Sequence, residues 1–190
     1  MKRSLGYLIS AVLLLWSAAS WADEYADTVK LFKNAGASAK FFDSAYGYAV
    51  FPTIGKGGLV VGGAHGNGRV FRGGNWVGDV SMTQVSVGLQ IGGEAYSQII
   101  FFEDERAFKE FTSGNFEFGA DANAVAITAA ANATTGTTGT SAGASGGMND
   151  ATTAGNKYYK GFAIFTIVKG GAMAQAAVAG QKFKFKPKST

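Results

Sequence analysis

Between Tyr48 and Phe102 glycine returns every few residues among valines, isoleucines and aromatic rings, and no other feature limits the fold as much. Each glycine costs a helix interior about 1 kcal/mol relative to alanine, so a helical reading of the stretch is excluded many times over. The segments Tyr48 to Phe51, Leu59 to Gly63, Arg69 to Arg72, Trp76 to Ile91 and Tyr96 to Phe102 read instead as strands. Within the fourth, Val85, Val87, Leu89 and Ile91 alternate with Ser86, Gly88 and Gln90, the period of a strand with one buried face. The Asn-Gly pair of His65-Gly66-Asn67-Gly68 predicts a hairpin turn, because both residues tolerate positive φ. Strands following one another this closely make an antiparallel sheet.

Residues 23 to about 45 precede the sheet with a different period. At 100° per residue Leu31, Phe42, Ala35, Ala39, Phe32, Tyr25, Gly36 and Val29 share one arc, so the segment is predicted to be an amphipathic helix. Lys30, Lys33 and Lys40 border that arc. Two readings fit: the apolar face covers the core of the domain, or the helix lies at a membrane interface with Phe32 among the lipids and the lysines at the headgroups. A second, short helix is expected after Asp104, whose side chain suits an N-cap, with Ala107, Phe108 and Phe111 on its apolar side and Gly114 at its stop.

Alternation resumes from Phe116 to Thr128, then gives way over 129–156 to an Ala/Thr/Gly/Ser stretch read as an extended hairpin or loop. Three closing strands are expected at Tyr158 to Val168, Ala172 to Ala179 and Lys182 to Lys186. In the last, Phe183 and Phe185 face inward and Lys182, Lys184 and Lys186 outward, a row that Lys188 extends and that also suits a protected edge strand.

Lys2 and Arg3, the apolar run from Leu5 to Trp16 and Ser20-Trp21-Ala22 have the order of a secretory signal peptide over residues 1–22. The apolar run is shorter than the roughly 20 residues a bilayer span needs. A secreted or periplasmic protein is therefore expected, with residues 23–190 as one domain. No cysteine is present, which excludes disulfides, thiolate metal sites and a lipid anchor on an N-terminal cysteine. The formal net charge of +4 is unevenly spread: seven acids lie between Glu94 and Asp121, whereas Lys157 to Thr190 carries lysines and no acid.

Catalytic sets are not found. His65 is the one histidine and sits among glycines, so no histidine triad can be assembled. Glu103, Asp104 and Glu105 open the short helix, where acids favour the dipole, so neither metal nor acid-base chemistry is expected of them. Gly55-Lys56-Gly57-Gly58 lacks the spaced glycine and the following Ser or Thr of a phosphate loop. The residues thus predict no enzyme, no cofactor and no nucleic-acid partner.

The blocks GYAVFPTIGKGGLVVGGAHGNGRVFRGGNWVGD and VGLQIGGEAYSQIIFFEDERAFKEFTSGNFEFGADA, beginning at Gly47 and Val87, resemble the SYLF domain family in its secreted bacterial branch. The resemblance implies lipid binding, of phosphoinositide type in the eukaryotic relatives, partly through the N-terminal helix; actin binding is a property of more distant, fungal members. By position it makes Lys30, Lys33 and Lys40 the basic residues of the membrane helix. Where relatives carry a Gly-Pro-x-Gly-Arg-like turn this chain reads AVAITAAANATTGTTG, and Lys169 stands alone before Gly170 and Gly171.

The expectation is an α+β domain, its N-terminal helix packed on a strongly bent, mostly antiparallel sheet that tends toward a barrel. It is a binding module for anionic membrane lipid, with Lys56, Arg69, Arg72, Lys169, Lys182, Lys184 and Lys186 adding attraction to the helix residues. Two competing readings are a self-assembling envelope protein and a carrier of a small apolar ligand inside a barrel.

Overall fold

The computed structural model describes residues 24–59, 61–118 and 157–189. The expected signal peptide and the 129–156 stretch lie outside them. Three helical pieces lead, α1 (residues 24–34), α2 (Gly36–Ala39) and α3 (Phe41–Ser44). They are followed by β1 (Gly47–Gly58), β2 (Val61–Arg72), β3 (Asn75–Phe102), α4 (Glu105–Phe111), β4 (Asn115–Glu117) and β5 (Phe162–Pro187).

The sheet is antiparallel throughout and nested. β1 and β2 form a hairpin; β3 pairs with β2 from Asn75 to Val87, passes the hairpin tip, and pairs with β1 from Gly92 to Phe102. β5 then follows β3 along its length, from Phe102↔Phe162 to Gly78↔Pro187, and β4 adds three residues beside Lys182–Lys184. A strand that flanks both sides of one hairpin has to bend, so the sheet curls into a half-barrel. Side chains inside the curl make one core: Phe51 of β1 meets Phe183 of β5 with ring centroids 5.8 Å apart, although β2 and β3 separate those strands in the sheet. Helix α4 closes the end of this core. Asp104 caps it as expected, accepting from the Ala107 N–H at 2.8 Å, and Phe111 packs on Phe102 and Phe183.

A second core lies on the outer face, where Tyr25, Phe32, Ala35 and Phe41 cover Val50, Ile99, Phe101, Phe165 and Ile167. The helix expected over 23–45 is interrupted, because Ala35 takes an extended conformation. The buried Ser38 hydroxyl donates to the Phe32 carbonyl oxygen at 2.6 Å, so that carbonyl is not left unpaired at the break, and the Ala35 carbonyl accepts from the Ser38 and Ala39 N–H groups.

The strands are fewer and longer than expected. Leu59 to Gly63 and Arg69 to Arg72 are parts of β2, and His65-Gly66-Asn67-Gly68, expected as a turn, is extended strand between them. The reason is packing. A Cβ on Gly66 would lie 2.5 Å from Ile54 Cγ1, and one on Gly68 2.6 Å from the Phe51 ring, so these glycines make room for core side chains of β1. The true turn is Gly73-Gly74, both at positive φ, joining Arg72 to Asn75. The three closing strands are likewise one, and its lysine row is not on a free edge, since β3 and β4 flank Lys182–Lys184. Phe183 does face the core, while Lys182, Lys184 and Lys186 are exposed.

Candidate functional surface

The basic residues singled out from the sequence fall into three settings. Arg69 is consumed by structure: its guanidinium carbon lies 4.4 Å from the ring centroids of both Tyr25 and Trp76, and its Nε is 3.7 Å from Asp79. It joins α1 to β2 and β3. Lys169 is similarly engaged. It is the extra residue of a bulge in β5, between the pairs Ala95↔Gly170 and Tyr96↔Val168, and opposite it β1 has its own irregularity at Pro52-Thr53. The two bulges bring its ammonium 2.9 Å from Thr53 Oγ1, 3.4 Å from the Pro52 carbonyl and 4.0 Å from Glu24 at the start of α1. Lys56 is half-buried and pairs across the strands with Glu94; burial pushes its ammonium pKa down, and Glu94 offsets part of that. Arg72 is exposed at the opposite end of β2, its guanidinium over the Phe108 ring at 5.5 Å.

The second setting is the helical segment. Lys30, Lys33 and Lys40 are exposed as the wheel requires, the latter two with their ammonium groups over Phe42 and Phe41 at 5.4 and 5.6 Å. Phe32 does not share that exposure. It is 0% exposed beneath α1, and the apolar arc on which it lies is spent on the outer core.

The third setting is the open part of the outer sheet face, beyond the reach of the helices. Register places Lys182 beside Thr83 and His65, and Lys184 beside Ser81 and Asn67, in rows across β5, β3 and β2. A groove of about 500 Å³ runs here between β3, β4 and β5, lined by Ser81, Thr83, Asn115, Glu117, Lys182 and Lys184. Lys182 is paired with Glu117 at 3.5 Å. Among the described residues no carboxylate lies within ion-pair distance of Lys184, Lys186, Lys30, Lys33 or Lys40.

One feature of the interior escaped the sequence reading. Gln84, Gln98 and Gln181 meet inside the curl, with amide contacts of 3.1 Å between Gln181 and Gln84 and 3.4 Å between Gln181 and Gln98. Gln98 is 0% exposed. Its signal was available, since Gln98 alternates with Ile99 and Ile100 follows, leaving a polar residue at an inward position of an apolar strand. Among the described residues no group of three His, Asp or Glu side chains is placed to hold a metal, and no helix is long and apolar enough to cross a membrane.

Comparison with known families decides the kinship of this curled sheet. The model described as "Las17-binding protein actin regulator" (Ysc84), the SYLF domain, matches residues 83–189, more than half of the chain. The chain belongs to the SYLF family. Beta cell expansion factor A of Aeromonas veronii, also a SYLF protein, is 33% identical over 161 residues, which are 83% of this chain and 53% of that protein. The chain thus spans about half the length of this curated relative. No solved structure matches. SYLF proteins form a family of binding domains.

Proposed function

We propose that this SYLF domain is a lipid-binding module of the cell envelope that docks peripherally on anionic membrane lipid, outside the cytoplasm. The observation that carries the reading is the set of exposed lysines that, among the described residues, have no carboxylate within ion-pair distance: Lys30, Lys33 and Lys40 on the helical segment, Lys184 and Lys186 on β5. Each lysine near an anionic surface contributes about 1 kcal/mol, so this number is enough for weak, salt-sensitive docking. Kinship supports the same direction: the family points to lipid or actin as ligand, and the amino-terminal segment has the order of an export signal, which favours lipid.

Phe32 and the apolar arc are buried, so the helix contributes through its lysines while docked; insertion of Phe32 requires α1 to leave the sheet. The carrier reading is disfavoured because Phe51, Met82, Gln98 and Ile100, all fully buried, fill the curl.

Flotation with neutral and anionic vesicles at low and high salt tests the proposal. Binding to anionic vesicles alone, weakened by salt, is expected, and absence of binding to either kind would turn the assignment toward self-assembly. Lys30, Lys33 and Lys40 changed together to Glu should weaken that binding and leave Tm nearly unchanged, since exposed charges contribute little to folding. Undiminished binding would remove the helix from the docking surface.

A further inference from the structure

Among the described residues the four large apolar side chains that folding leaves exposed are Tyr159 and, at one end of the molecule, Leu59, Val61 and Val85. Leu59 is 66% exposed in the bend between β1 and β2, and Val61 and Val85 are each 61% exposed. Val61 and Val85 lie on one face of adjacent strands: Val85 pairs with Gly63, two residues beyond Val61, and the intervening Gly62 is buried. Both therefore stand on the outer face, at the end of the curl opposite α4. Glycines flank them, Gly58, Gly62 and Gly63 on the hairpin and Gly180 opposite Val85, and Val61 pairs with Val87.

Single exposed valines need no explanation. These three are set apart by what shares their face. Going along β3 from Val85, the next outward residues Thr83, Ser81 and Asp79 are paired with Lys182, Lys184 and Lys186. The acids on that face are already engaged, Asp79 by Arg69 and Glu117 by Lys182. An apolar tip backed by a cationic row is the charge arrangement that suits the boundary between acyl chains and anionic headgroups. The apolar arc of α1, the alternative inserting element, is buried in the outer core.

We propose that the β1–β2 tip, Leu59 and Val61 with Val85 beside them, enters the outer layer of an anionic bilayer while Lys184 and Lys186 reach the phosphates behind it. This rests on the lipid-binding reading above and names its point of entry.

The chain has no cysteine, so Leu59→Cys carries a single environment-sensitive fluorophore on the full protein. With phosphatidylcholine vesicles containing about 30% phosphatidylglycerol, its emission should shift to the blue and be quenched by nitroxide lipids. The same label at Asn34→Cys, on the exposed side of α1, should stay silent. Leu59→Glu with Val61→Glu should lower partitioning about tenfold or more, with circular dichroism and Tm unchanged. A silent label at position 59, or undiminished partitioning of the double variant, while the unmodified protein still binds, overturns the tip and leaves the lipid reading standing. A protein that binds neither neutral nor anionic vesicles overturns both. If the double variant binds vesicles normally but abolishes a concentration-dependent dimer, the tip is a contact between copies and the proposal fails.

Discussion

Arg69 is the residue on which most separate elements converge, held between the Tyr25 and Trp76 rings and beside Asp79. A guanidinium stacked between rings contributes about 1–2 kcal/mol when partly desolvated, and the rounder ammonium of lysine does not reproduce the stacking. Arg69→Ala is expected to cost about 2 kcal/mol and to speed amide exchange in residues 24–34 more than in β5, with Arg69→Lys recovering only a part. Equal acceleration in both regions would mean that Arg69 does not specifically hold α1. Tyrosine burial sets a different expectation, on pH. Burial raises the phenol of Tyr96 far above its ordinary 10.0, with Glu94 adding to the shift, and raises those of Tyr25, Tyr48 and Tyr158 less. A phenol that stays protonated in the fold while the unfolded chain ionises contributes stability that is present below pH 10 and lost as pH rises above it. Lys56 acts in the opposite sense: its folded value lies below 10.5, so stability rises with pH through the window between the two. The tyrosines outnumber it, and the urea midpoint should fall steeply above about pH 10. Tyr96→Phe should flatten that fall; an unchanged slope would assign it to other groups.

At the scale of elements, glycine has two jobs in this chain that look the same in the sequence. Gly73 and Gly74 turn the chain, with φ of 54° and 80°. Gly66 and Gly68 let β1 and β2 approach with Ile54 and Phe51 between them. Asn67-Gly68 therefore reads as a turn locally and is strand in fact, because the competing information sits on another strand, in the volume of the Phe51 ring. The same ambiguity divided β3 and β5 into shorter expected strands. What was legible was local: the strand character of β3, the Asp104 cap, the inward Phe183 and outward lysines, and the bent antiparallel sheet with its helix. The buried face of β3 was not, since Val85, expected inside, is 61% exposed and Gln84 beside it is buried, an inward place held by its contact with Gln181. The engagement of Arg69 and Lys169 was not legible, because it depends on bulges and on register between distant strands. Gly68→Ala should cost about 1–3 kcal/mol by overpacking against Phe51, whereas Gly55→Ala, where an added Cβ meets nothing within 4 Å, should be nearly neutral. Equal midpoints in urea would show that Phe51 yields easily. The helical segment offers a parallel contrast: Phe32→Ala should cost about 3–5 kcal/mol, since its side chain is wholly inside the outer core.

For the whole molecule, the consequence of nesting is that the two cores share strands. Along β3, Ile99 and Phe101 face the helices while Ile100 and Phe102 face the interior, so neither core can form without the strand that builds the other. β5 completes both, through Ala163, Phe165 and Ile167 on the outer side and Phe162 and Phe183 within. Its pairs with β3 join residues 78–102 to residues 187–162, across everything between, and such non-local pairing is slow to form. Refolding is thus expected on the millisecond-to-second scale, limited by docking of β5. The sharpest test is where the strand can be cut. Ending the chain at Gly180 removes Lys182–Pro187, the partners of Gly78–Thr83, and takes Phe183 away from Phe51, Phe111 and Phe116. Loss of that aromatic contact alone is worth about 3–5 kcal/mol, and with the unpaired ladder it should abolish a cooperative urea transition followed by tryptophan fluorescence. Ending it at Pro187 instead removes the Lys188 N–H bond to Val77 and the ammonium over Trp76, and should cost only about 1–2 kcal/mol. A chain cut at Gly180 that still unfolded in one sharp step would mean that β1, β2 and β3 hold together without their outer partner, and that the nested sheet is built from separable layers.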